Sequence, residues 1–434
     1  MFASAIPALA LACTSSAGAG TAGAAGGDNR QFVVLDGVDT AGCLDGSPYA
    51  FWIWPGNSKD WSLFFNGGGW TFDDAQTTIR NNTALGSSRG YNITGAWDPL
   101  DATTHVGGPV AYTCMGQDPN CTRVFFPYCD ASSFTSHRSE PYQVTAGAGA
   151  GGQFVMRGRG NLQATLNALT KRFSLADATR VVVSGGSAGG LSTYLHVDNI
   201  ASYMKAIVPT SVLPKLVVVA RPVAGFFIDV TPYQEATRAA KQLASSESPQ
   251  YPPGANYSER VRYGMVFHNS TQSLSSSCKA AQKPGEEWRC FLAPVVFPFI
   301  PQPVFAVQSR FDEYQLSANY RLPCEQSQSY DPPYKANSCG SAANQSAVVN
   351  FGAAFMDQFQ TVLVDKPGTG CFLVSCIQHD INALIHGADV ADAFGSWLNG
   401  GDLGKASGYK FVDDCGPSSD GSTPCNAGAY CAPF

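Results

Sequence analysis

Charged residues are scarce in this chain of 434 residues, and none of them forms a basic run. Only 14% of the residues are charged, with 27 Lys and Arg against 33 Asp and Glu, so the formal net charge is −6. Binding to nucleic acid or to an anionic membrane surface draws on clustered positive charge. The composition therefore disfavours both kinds of partner.

Long uninterrupted apolar runs are also missing, although 44% of the residues are hydrophobic. The most apolar long stretch, LAPVVFPFIPQPVFAV at 292–307, is interrupted by prolines at 294, 298, 301 and 303. Because proline breaks a helix interior, this stretch is not expected to cross a bilayer. We expect a chain with a large buried core and no membrane span.

Cysteine, by contrast, is plentiful. The chain has 14 cysteines, together with six Asn-x-Ser/Thr sequons, and this combination favours the oxidising secretory route. The sequons lie at Asn81, Asn92, Asn120, Asn256, Asn269 and Asn344. We therefore expect a secreted, extracellular glycoprotein with disulfide bonds.

The N-terminal stretch MFASAIPALALACTSSAGAG has an apolar core and small residues suited to cleavage, although no Lys or Arg precedes the core. We interpret residues 1–27 as a signal peptide and a flexible Ala/Gly-rich leader. Cleavage after Cys13 would leave an odd number of cysteines. At least one thiol would then be unpaired or intermolecular.

Short β-rich runs alternate with helical patterns from Gln31 onward. The runs have the length of buried strands: QFVVL, WSLFF, RVFFPY, RVVVS, PVFAVQ and GCFLVS. Helical patterns cover Asn161–Phe173 and Leu191–Met204. This alternation favours an α/β fold with a mostly parallel central sheet flanked by helices.

We expect one elaborated domain at 28–411, because no linker after residue 30 is long enough to separate two domains. Stretches near 145–152, 245–259 and 324–346 are rich in Gly, Pro, Ser or Asn, which indicates loops or insertions. Residues 412–434 contain three cysteines and are interpreted as a stapled C-terminal tail. We expect a monomer.

The stretch RVVVSGGSAGGLSTYL places Ser187 between a strand-like run and a helix-like run. Gly185-Gly186-Ser187-Ala188-Gly189 fits G-x-S-x-G, in which a strained strand-to-helix turn exposes the serine hydroxyl. The turn directs the N-terminus of the following helix, and the N–H of Ala188, at any oxyanion formed beside Ser187. A glycine-rich connection would explain the glycines alone, so the serine needs a base before it becomes a candidate nucleophile.

The chain offers six histidines as possible bases. His196 lies in the helix after Ser187 and would be carried away from the turn. His379 follows the strand-like run GCFLVSC at a loop position, where open α/β sheets place functional residues. His386 also lies near a loop and stays the rival.

A triad acid is expected between the serine and the histidine, in the chain order of α/β hydrolases. Asp312, in PVFAVQSRFDEYQL, follows a strand-like run by a short loop and fits this position. Glu313 and Asp229 are the alternatives, and an ordinary surface or capping role is possible for each of the three carboxylates.

FNGGGW, at 65–70, follows the strand-like run WSLFF and matches the glycine-rich loop that supplies a second oxyanion N–H in esterases. The glycines let the backbone approach a substrate carbonyl closely. A simple turn rarely needs three consecutive glycines.

Two other patterns are dismissed. Gly147, Gly149 and Gly152 match G-x-G-x-x-G but have no preceding strand, which disfavours dinucleotide binding. Cys376 and His379 have the spacing of half a zinc site, but no second pair at such spacing exists. We expect Cys376 in a disulfide bond.

With these residues in view, the chain resembles the Notum and pectin acetylesterase family of secreted serine carboxylesterases, from about Gly42 to about Leu398. The landmarks are CLDGSP, FFNGGGW, FFPYCDASSF, SGGSAGG, AGFFIDV, GEEWRCF, VQSRFDEYQL and CFLVSCIQHD. Their number and order make the resemblance far more specific than G-x-S-x-G alone.

The resemblance implies an α/β-hydrolase-like fold with Ser187 as nucleophile and Asp312 and His379 as the other triad members. It also implies oxyanion donors at the backbone of Gly69, Trp70 and Ala188, and no metal or organic cofactor. We therefore expect hydrolysis of O-acyl esters by a Ser-His-Asp triad.

The departures from the family concern the substrate. Plant pectin acetylesterases usually carry cysteines where this chain has Thr71, Gly186 and Val197, and the last two are implied to form a disulfide in plant members. Other landmarks are closer to Notum, which removes a palmitoleoyl group from a signalling protein. We expect an O-acylated polysaccharide such as pectin as substrate, with an acylated glycoprotein as the alternative. A non-catalytic binding protein of the same fold is a third reading.

Overall fold

The computed structural model describes residues 29–91, 120–144, 151–233, 255–322, 342–363, 366, 368–381, 383–400, 403, 410–413 and 429–431. The predicted signal peptide, the leader up to residue 27 and most of the predicted tail lie outside these residues. The division of the chain into domains stays a prediction.

A nine-stranded sheet forms the centre of the molecule. The strands are, in chain order, β1 (Gln31–Val34), β2 (Ala50–Trp54), β3 (Asp60–Phe65), β4 (Thr122–Phe126), β5 (Tyr142–Gln143), β6 (Gln153–Phe154), β7 (Arg180–Gly186), β8 (Val217–Val223), β9 (Phe305–Phe311), β10 (Gly370–Ile377), β11 (Ala383–Ile385), β12 (Lys410–Val412) and β13 (Ala429–Cys431). The sheet order is β1-β2-β4-β3-β7-β8-β9-β10-β12, while β5 pairs with β6 and β11 with β13.

Eight α-helices accompany these strands within the described ranges. They are α1 (Asp74–Asn81), α2 (Gly158–Arg172), α3 (Ala188–Ile207), α4 (Tyr257–Phe267), α5 (Ser276–Ala280), α6 (Ala293–Val296), α7 (Ala342–Leu363) and α8 (Val390–Asn399). Short helical turns join several of them, including a π-helical turn at Gln315–Asn319.

The strands from β4 to β12 in sheet order pair in parallel, whereas β2 pairs antiparallel with β1 and β4. Both faces of the parallel part are covered, so its strands are apolar almost throughout. On β7, Val181 and Val183 pack into the core layer that contains α2, α3 and α7. Val182 packs into the opposite layer, against the strands covered by α8. The α/β-hydrolase-like fold predicted from the sequence is confirmed.

The carboxyl ends of β3, β7, β8, β9 and β10 lie side by side, because these five strands are consecutive in the sheet and parallel. Open α/β sheets bind ligands at this edge. Ser187 follows β7, Asp312 follows β9, and His379 follows β10 by one residue. The glycine-rich loop 67–70 follows β3. The topology therefore collects all the predicted site segments at one edge.

The predicted strand runs correspond to β1, β3, β4, β7, β9 and β10, and the predicted helices to α2 and α3. The expectation of a loop at 324–346 is wrong at its end, because α7 begins at Ala342. Likewise α4 begins at Tyr257, inside the expected loop at 245–259. Its start is a capping box, in which Asn256 accepts from the N–H of Glu259 and the Glu259 side chain accepts from the N–H of Asn256.

Disulfide bonds join Cys43 to Cys129 and Cys278 to Cys290. Cys121 and Cys376 are also disulfide-bonded, as predicted for Cys376. Cys371 is a buried free thiol, which agrees with the expected unpaired cysteine. No helix in the described part of the chain is long and apolar enough to cross a membrane.

The Cys43–Cys129 and Cys278–Cys290 disulfides close loops of very different length, with sequence separations of 86 and 12. Because a cross-link restricts the unfolded chain more when its loop is longer, removing Cys43–Cys129 should cost about 4–5 kcal/mol of the free energy of unfolding, against about 3 kcal/mol for Cys278–Cys290. The two Cys→Ala double variants, compared by denaturant unfolding, test this order. A larger loss in the Cys278→Ala/Cys290→Ala variant would contradict it.

Candidate active site

Ser187 occupies the turn between β7 and α3 with φ 56° and ψ −123°. Residues other than glycine rarely adopt this backbone, so the surroundings must sustain it. The N–H of Ser187 donates to the carbonyl of Val223 over 3.0 Å, which ties the turn to the end of β8. The strained strand-to-helix turn that the sequence predicted is present.

The glycine-rich loop after β3 lies in direct contact with this turn. A Cβ atom on Gly67 would lie 2.5 Å from the carbonyl oxygen of Gly186 and 2.8 Å from the Cβ of Ser187. Real Cβ atoms do not come so close, so only glycine allows this approach. The loop backbone and the serine therefore face each other across a van der Waals contact.

His379 and Asp312 are hydrogen-bonded, with 2.8 Å between Nδ1 and Oδ2. Asp312 is fully buried, and its carboxylate also accepts from Nε2 of Gln308 and from the N–H of Gln315. A carboxylate can only accept, so Nδ1 of His379 carries the hydrogen and Nε2 of the neutral ring is left as an acceptor. That Nε2 is buried and has no hydrogen-bond partner among the described residues.

The other histidines and carboxylates considered as members of the triad do not form this pair. His386 is exposed, in a turn after β11 with φ 51°. His196 is buried in α3 with Nε2 at 2.9 Å from the carbonyl oxygen of Ser133. Asp229 is exposed, and the partner of His379 is Asp312 rather than Glu313.

Opposing effects act on the pKa of His379. Burial lowers it, whereas the Asp312 carboxylate raises it by its charge and its hydrogen bond, with further raising contributions from Asp380 and Glu313. The net result is a pKa above the ordinary value of 6.5. The negative charges around the ring therefore outweigh desolvation and favour the imidazolium form.

The backbone N–H groups proposed as oxyanion donors have no competing acceptor in the described part of the chain. Ala188 is the first residue of α3, so its N–H has no intrahelical partner. Within the described ranges, Gly69 and Trp70 donate their backbone N–H groups to no other residue. The three groups are free to bind a negatively charged oxygen.

Two polar side chains from a distant part of the chain, those of Tyr128 and Ser133, hold the glycine-rich loop through hydrogen bonds. Tyr128 donates to the carbonyl of Gly69 over 2.8 Å, and the Nε1 of Trp70 donates to the Oγ of Ser133 over 2.8 Å. Tyr128 and Ser133 both belong to the landmark FFPYCDASSF, to which the sequence alone assigns no role. Nothing in the sequence signals that this segment folds against residues about sixty positions earlier.

An aromatic wall of Trp70, Phe227, Tyr257, Phe291 and Tyr314 stands beside His379. Phe227 packs edge-on against the ring of Trp70, with centroids 4.8 Å apart. The ring of Tyr314 lies 5.4 Å from the imidazole of His379, and that of Phe227 lies 6.3 Å from it. The rings of this wall pack against one another and cover the imidazole on this side.

The phenol of Tyr257 is the unsatisfied polar group of this wall. Its hydroxyl is buried and has no partner in the described part of the chain, and burial raises the pKa of the phenol. Its ring lies 5.6 Å from that of Trp70. A hydroxyl in this condition is a hydrogen-bond donor without an acceptor.

Gln308 and Gln315 fasten the loop after β8 to the segment that carries Asp312. Gln308 accepts from the N–H of Phe226 over 3.0 Å, and Gln315 accepts from the N–H of Ile228 over 2.9 Å. These contacts fix Phe227 between them, and sequence reasoning missed both glutamines.

Across the described ranges, no group of three or more His, Cys, Asp or Glu side chains could hold a metal ion.

The raised pKa of His379 can be measured directly. In protein labelled at its histidine rings, NMR titration should give His379 a pKa above 6.5, and Asp380→Asn should lower it because one of the raising charges is removed. His379→Gln assigns the resonance. The matched control is Asp177→Asn, which neutralises an exposed carboxylate before β7, at the opposite end of the sheet. Equal shifts in the two Asn variants would contradict the account.

Comparisons with known proteins agree with the fold. The model of the pectinacetylesterase family matches residues 27–400. The chain is 26% identical to pectin acetylesterase 7 of Arabidopsis thaliana over 402 residues, covering 88% of this chain and 89% of that protein. It is also 26% identical to the palmitoleoyl-protein carboxylesterase NOTUM of Homo sapiens over 357 residues, covering 80% of this chain and 60% of that protein.

Both names denote carboxylic ester hydrolases, and they support that class of activity for this chain. The alignment with human NOTUM leaves two fifths of that protein unmatched, whereas the plant relative is matched over most of its length. The resemblance inferred from the landmarks is confirmed. With a family model that covers 27–400, the chain belongs to the pectinacetylesterase family.

Proposed function

We propose that this protein is a secreted serine carboxylesterase in which Ser187, His379 and Asp312 form a catalytic triad. The observation that carries the proposal is the hydrogen-bonded His379–Asp312 pair: Nε2 of His379 has no partner among the described residues, and the residue lies at the same edge of the sheet as the strained serine turn. A surface carboxylate and a structural histidine would explain neither the strain at Ser187 nor the unsatisfied Nε2. Membership of an esterase family supports the same reading.

In the proposed reaction, Oγ of Ser187 attacks the ester carbonyl and its proton passes to Nε2 of His379. Asp312 holds the ring through Nδ1 and stabilises the imidazolium that forms. Collapse of the tetrahedral intermediate breaks the bond to the alcohol oxygen, which takes the proton from Nε2. Water activated by the same histidine then hydrolyses the acyl-Ser187 ester, releasing the acid and the free serine.

The oxyanion of each intermediate is bound by the N–H groups of Trp70, Ala188 and Gly69. These donors are held in fixed positions by the rest of the structure, so they need no reorganisation as charge develops. Loss of one such donor typically removes about 3–4 kcal/mol of transition-state stabilisation. The positive end of α3, which begins at Ala188, adds to the same effect.

The proposed substrate is an acetyl ester on an extracellular polysaccharide such as pectin. The plant relative is a pectin acetylesterase and is matched over nearly its whole length, which supports this choice. The aromatic wall supports a small acyl group, because its rings pack against one another beside His379. Removal of a lipid acyl group from a protein, as in the name of the human relative, is the alternative.

The disulfides support secretion.

Variants of the serine and of the two rival histidines test the mechanism. Ser187→Ala should lower kcat for p-nitrophenyl acetate at least about a thousandfold, because removing a triad nucleophile abolishes the covalent pathway. His379→Ala should have a comparable effect, whereas His386→Ala should retain most of the activity. Hydrolysis rates of the purified, folded variants are the measurement, with His386→Ala as the matched control. Full activity in Ser187→Ala would reject the mechanism.

Acyl chain length tests the substrate class. If the wall closes the acyl side, kcat/KM for p-nitrophenyl acetate should exceed that for p-nitrophenyl octanoate. The reverse order, with the longer chain preferred, would favour the lipid acyl alternative. Hydrolysis of neither ester by folded protein would favour the non-catalytic reading instead.

A further inference from the structure

The proposed oxyanion donors belong to two separate segments, and one residue outside both connects them. Gly69 and Trp70 lie on the loop after β3, whereas Ala188 begins α3 after β7. For three N–H groups to bind one oxygen, the two segments must keep a fixed distance from each other. Ser133, in the loop after β4, contacts both.

The hydroxyl of Ser133 forms the connection. Its Oγ accepts a hydrogen bond from Nε1 of Trp70 over 2.8 Å and donates one to the carbonyl oxygen of Ala188 over 2.7 Å. A hydroxyl has one hydrogen to donate, so these two bonds fix its orientation. Ser133 is fully buried, and therefore water does not compete for either bond.

Tyr128 extends the connection to the third donor. The N–H of Ser133 donates to the phenol oxygen of Tyr128 over 2.9 Å, and that phenol donates to the carbonyl oxygen of Gly69 over 2.8 Å. The carbonyl group of Ser133 is occupied as well, because Nε2–H of His196 donates to it over 2.9 Å. Burial lowers the pKa of His196 to about 4, so the ring stays neutral near physiological pH.

The backbone of Ser133 is held in an unfavourable conformation to make these bonds. Its φ is +52°, and the neighbouring Ala131 and Phe134 also have positive φ values of 54° and 58°. Residues other than glycine keep such a backbone only where the surrounding contacts impose it. One such contact is the buried carboxylate of Asp130, which accepts from the N–H groups of Ser132 and Phe134 on either side of Ser133.

We propose that Ser133 is a positioning residue that fixes the oxyanion hole by hydrogen-bonding both of the segments that form it, with Tyr128 joining Gly69 to the same centre. This inference rests on the proposed esterase function. Ser133 itself touches neither the serine nucleophile nor the reacting ester in this account, since it acts through Trp70, Ala188 and Gly69.

The test is Ser133→Ala, with Ser192→Ala as its matched control. Ser192 is also a fully buried serine, and its Oγ donates to the same carbonyl oxygen of Ala188 over 2.8 Å, but Nε1 of Trp70 donates to Ser133 and not to Ser192. Each variant therefore removes one buried hydroxyl and one bond to Ala188. Only Ser133→Ala also breaks the connection to the glycine-rich loop.

In Ser133→Ala, kcat for p-nitrophenyl acetate should fall about 10- to 100-fold, with KM changed less than about threefold, because the transition state rather than the ground state loses its donors. Inhibition by an aryl trifluoromethyl ketone, whose adduct with Ser187 carries an oxyanion, should weaken by a similar factor. Ser192→Ala should keep both quantities within about threefold of the parent protein. Denaturant unfolding of both variants controls for general destabilisation.

Tyr128→Phe provides an independent variant if Ser133→Ala does not fold. It should also lower kcat more than it changes KM. Where both single variants fold, the two losses should be less than multiplicative in the double variant because both act on one loop. Unchanged kcat in Ser133→Ala or, where that variant does not fold, in Tyr128→Phe would overturn the inference, as would an equal loss in Ser192→Ala. If the parent protein is active and Ser187→Ala is not, such a result leaves the proposed function standing. An inactive parent protein overturns both.

Discussion

The backbones of two chain segments, the loop after β3 and the turn from β7 into α3, meet at Ser187 with glycine at the points of closest approach, and the candidate site depends on that contact. A Cβ atom on Gly189 would lie 2.1 Å from the carbonyl oxygen of Phe65, the last residue of β3. Phe65 is paired in register with Gly185, so the two strands end together and their loops emerge at the same height. The glycine-rich loop, the serine turn and the start of α3 are consequently pressed into one rigid unit. A larger residue at any of these glycines would separate the proposed nucleophile from the proposed oxyanion donors.

Four of the polar groups behind this unit are uncharged. Tyr128, Ser133, His196 and His268 are all buried, and burial lowers the pKa of both histidines to about 4. His268 lies 2.8 Å from the carbonyl oxygen of Thr71, next to Trp70, and so secures the far end of the same loop. Neutral hydrogen bonds in a dry environment are strong and directional without adding a net charge.

The sequence predicted the parts of this architecture that follow from local patterns. The apolar runs of β3, β7, β9 and β10 are buried on both faces, so composition alone identifies them, and the parallel topology then places the segments after them at one edge. The serine turn carries its own glycine signature. His379 and Asp312 were chosen by their positions after strands, and the structure brings them within hydrogen-bonding distance.

The features that escaped prediction depend on contacts between distant parts of the chain. Ser133 reaches Trp70 across 63 positions and Ala188 across 55, and a buried serine in a loop has no pattern of its own. β8 was missed for a different reason: its sequence VVVARPV contains a charged residue and a proline. Arg221 is nevertheless fully buried, with its guanidinium 4.7 Å above the ring of Phe394, so tertiary packing overrides the local signal.

The disulfide between Cys43 and Cys129 has a meaning for how the protein matures. Cys129 lies between Tyr128 and Asp130, and the N–H of Leu44, next to Cys43, donates to its carbonyl. The segment that braces the proposed oxyanion donors is thus tied covalently to the start of the folded region, 86 positions earlier. Without this disulfide the brace would be anchored by weak bonds alone. Catalytic competence is therefore expected to be acquired during oxidative folding, and production in an oxidising host is part of obtaining the active form.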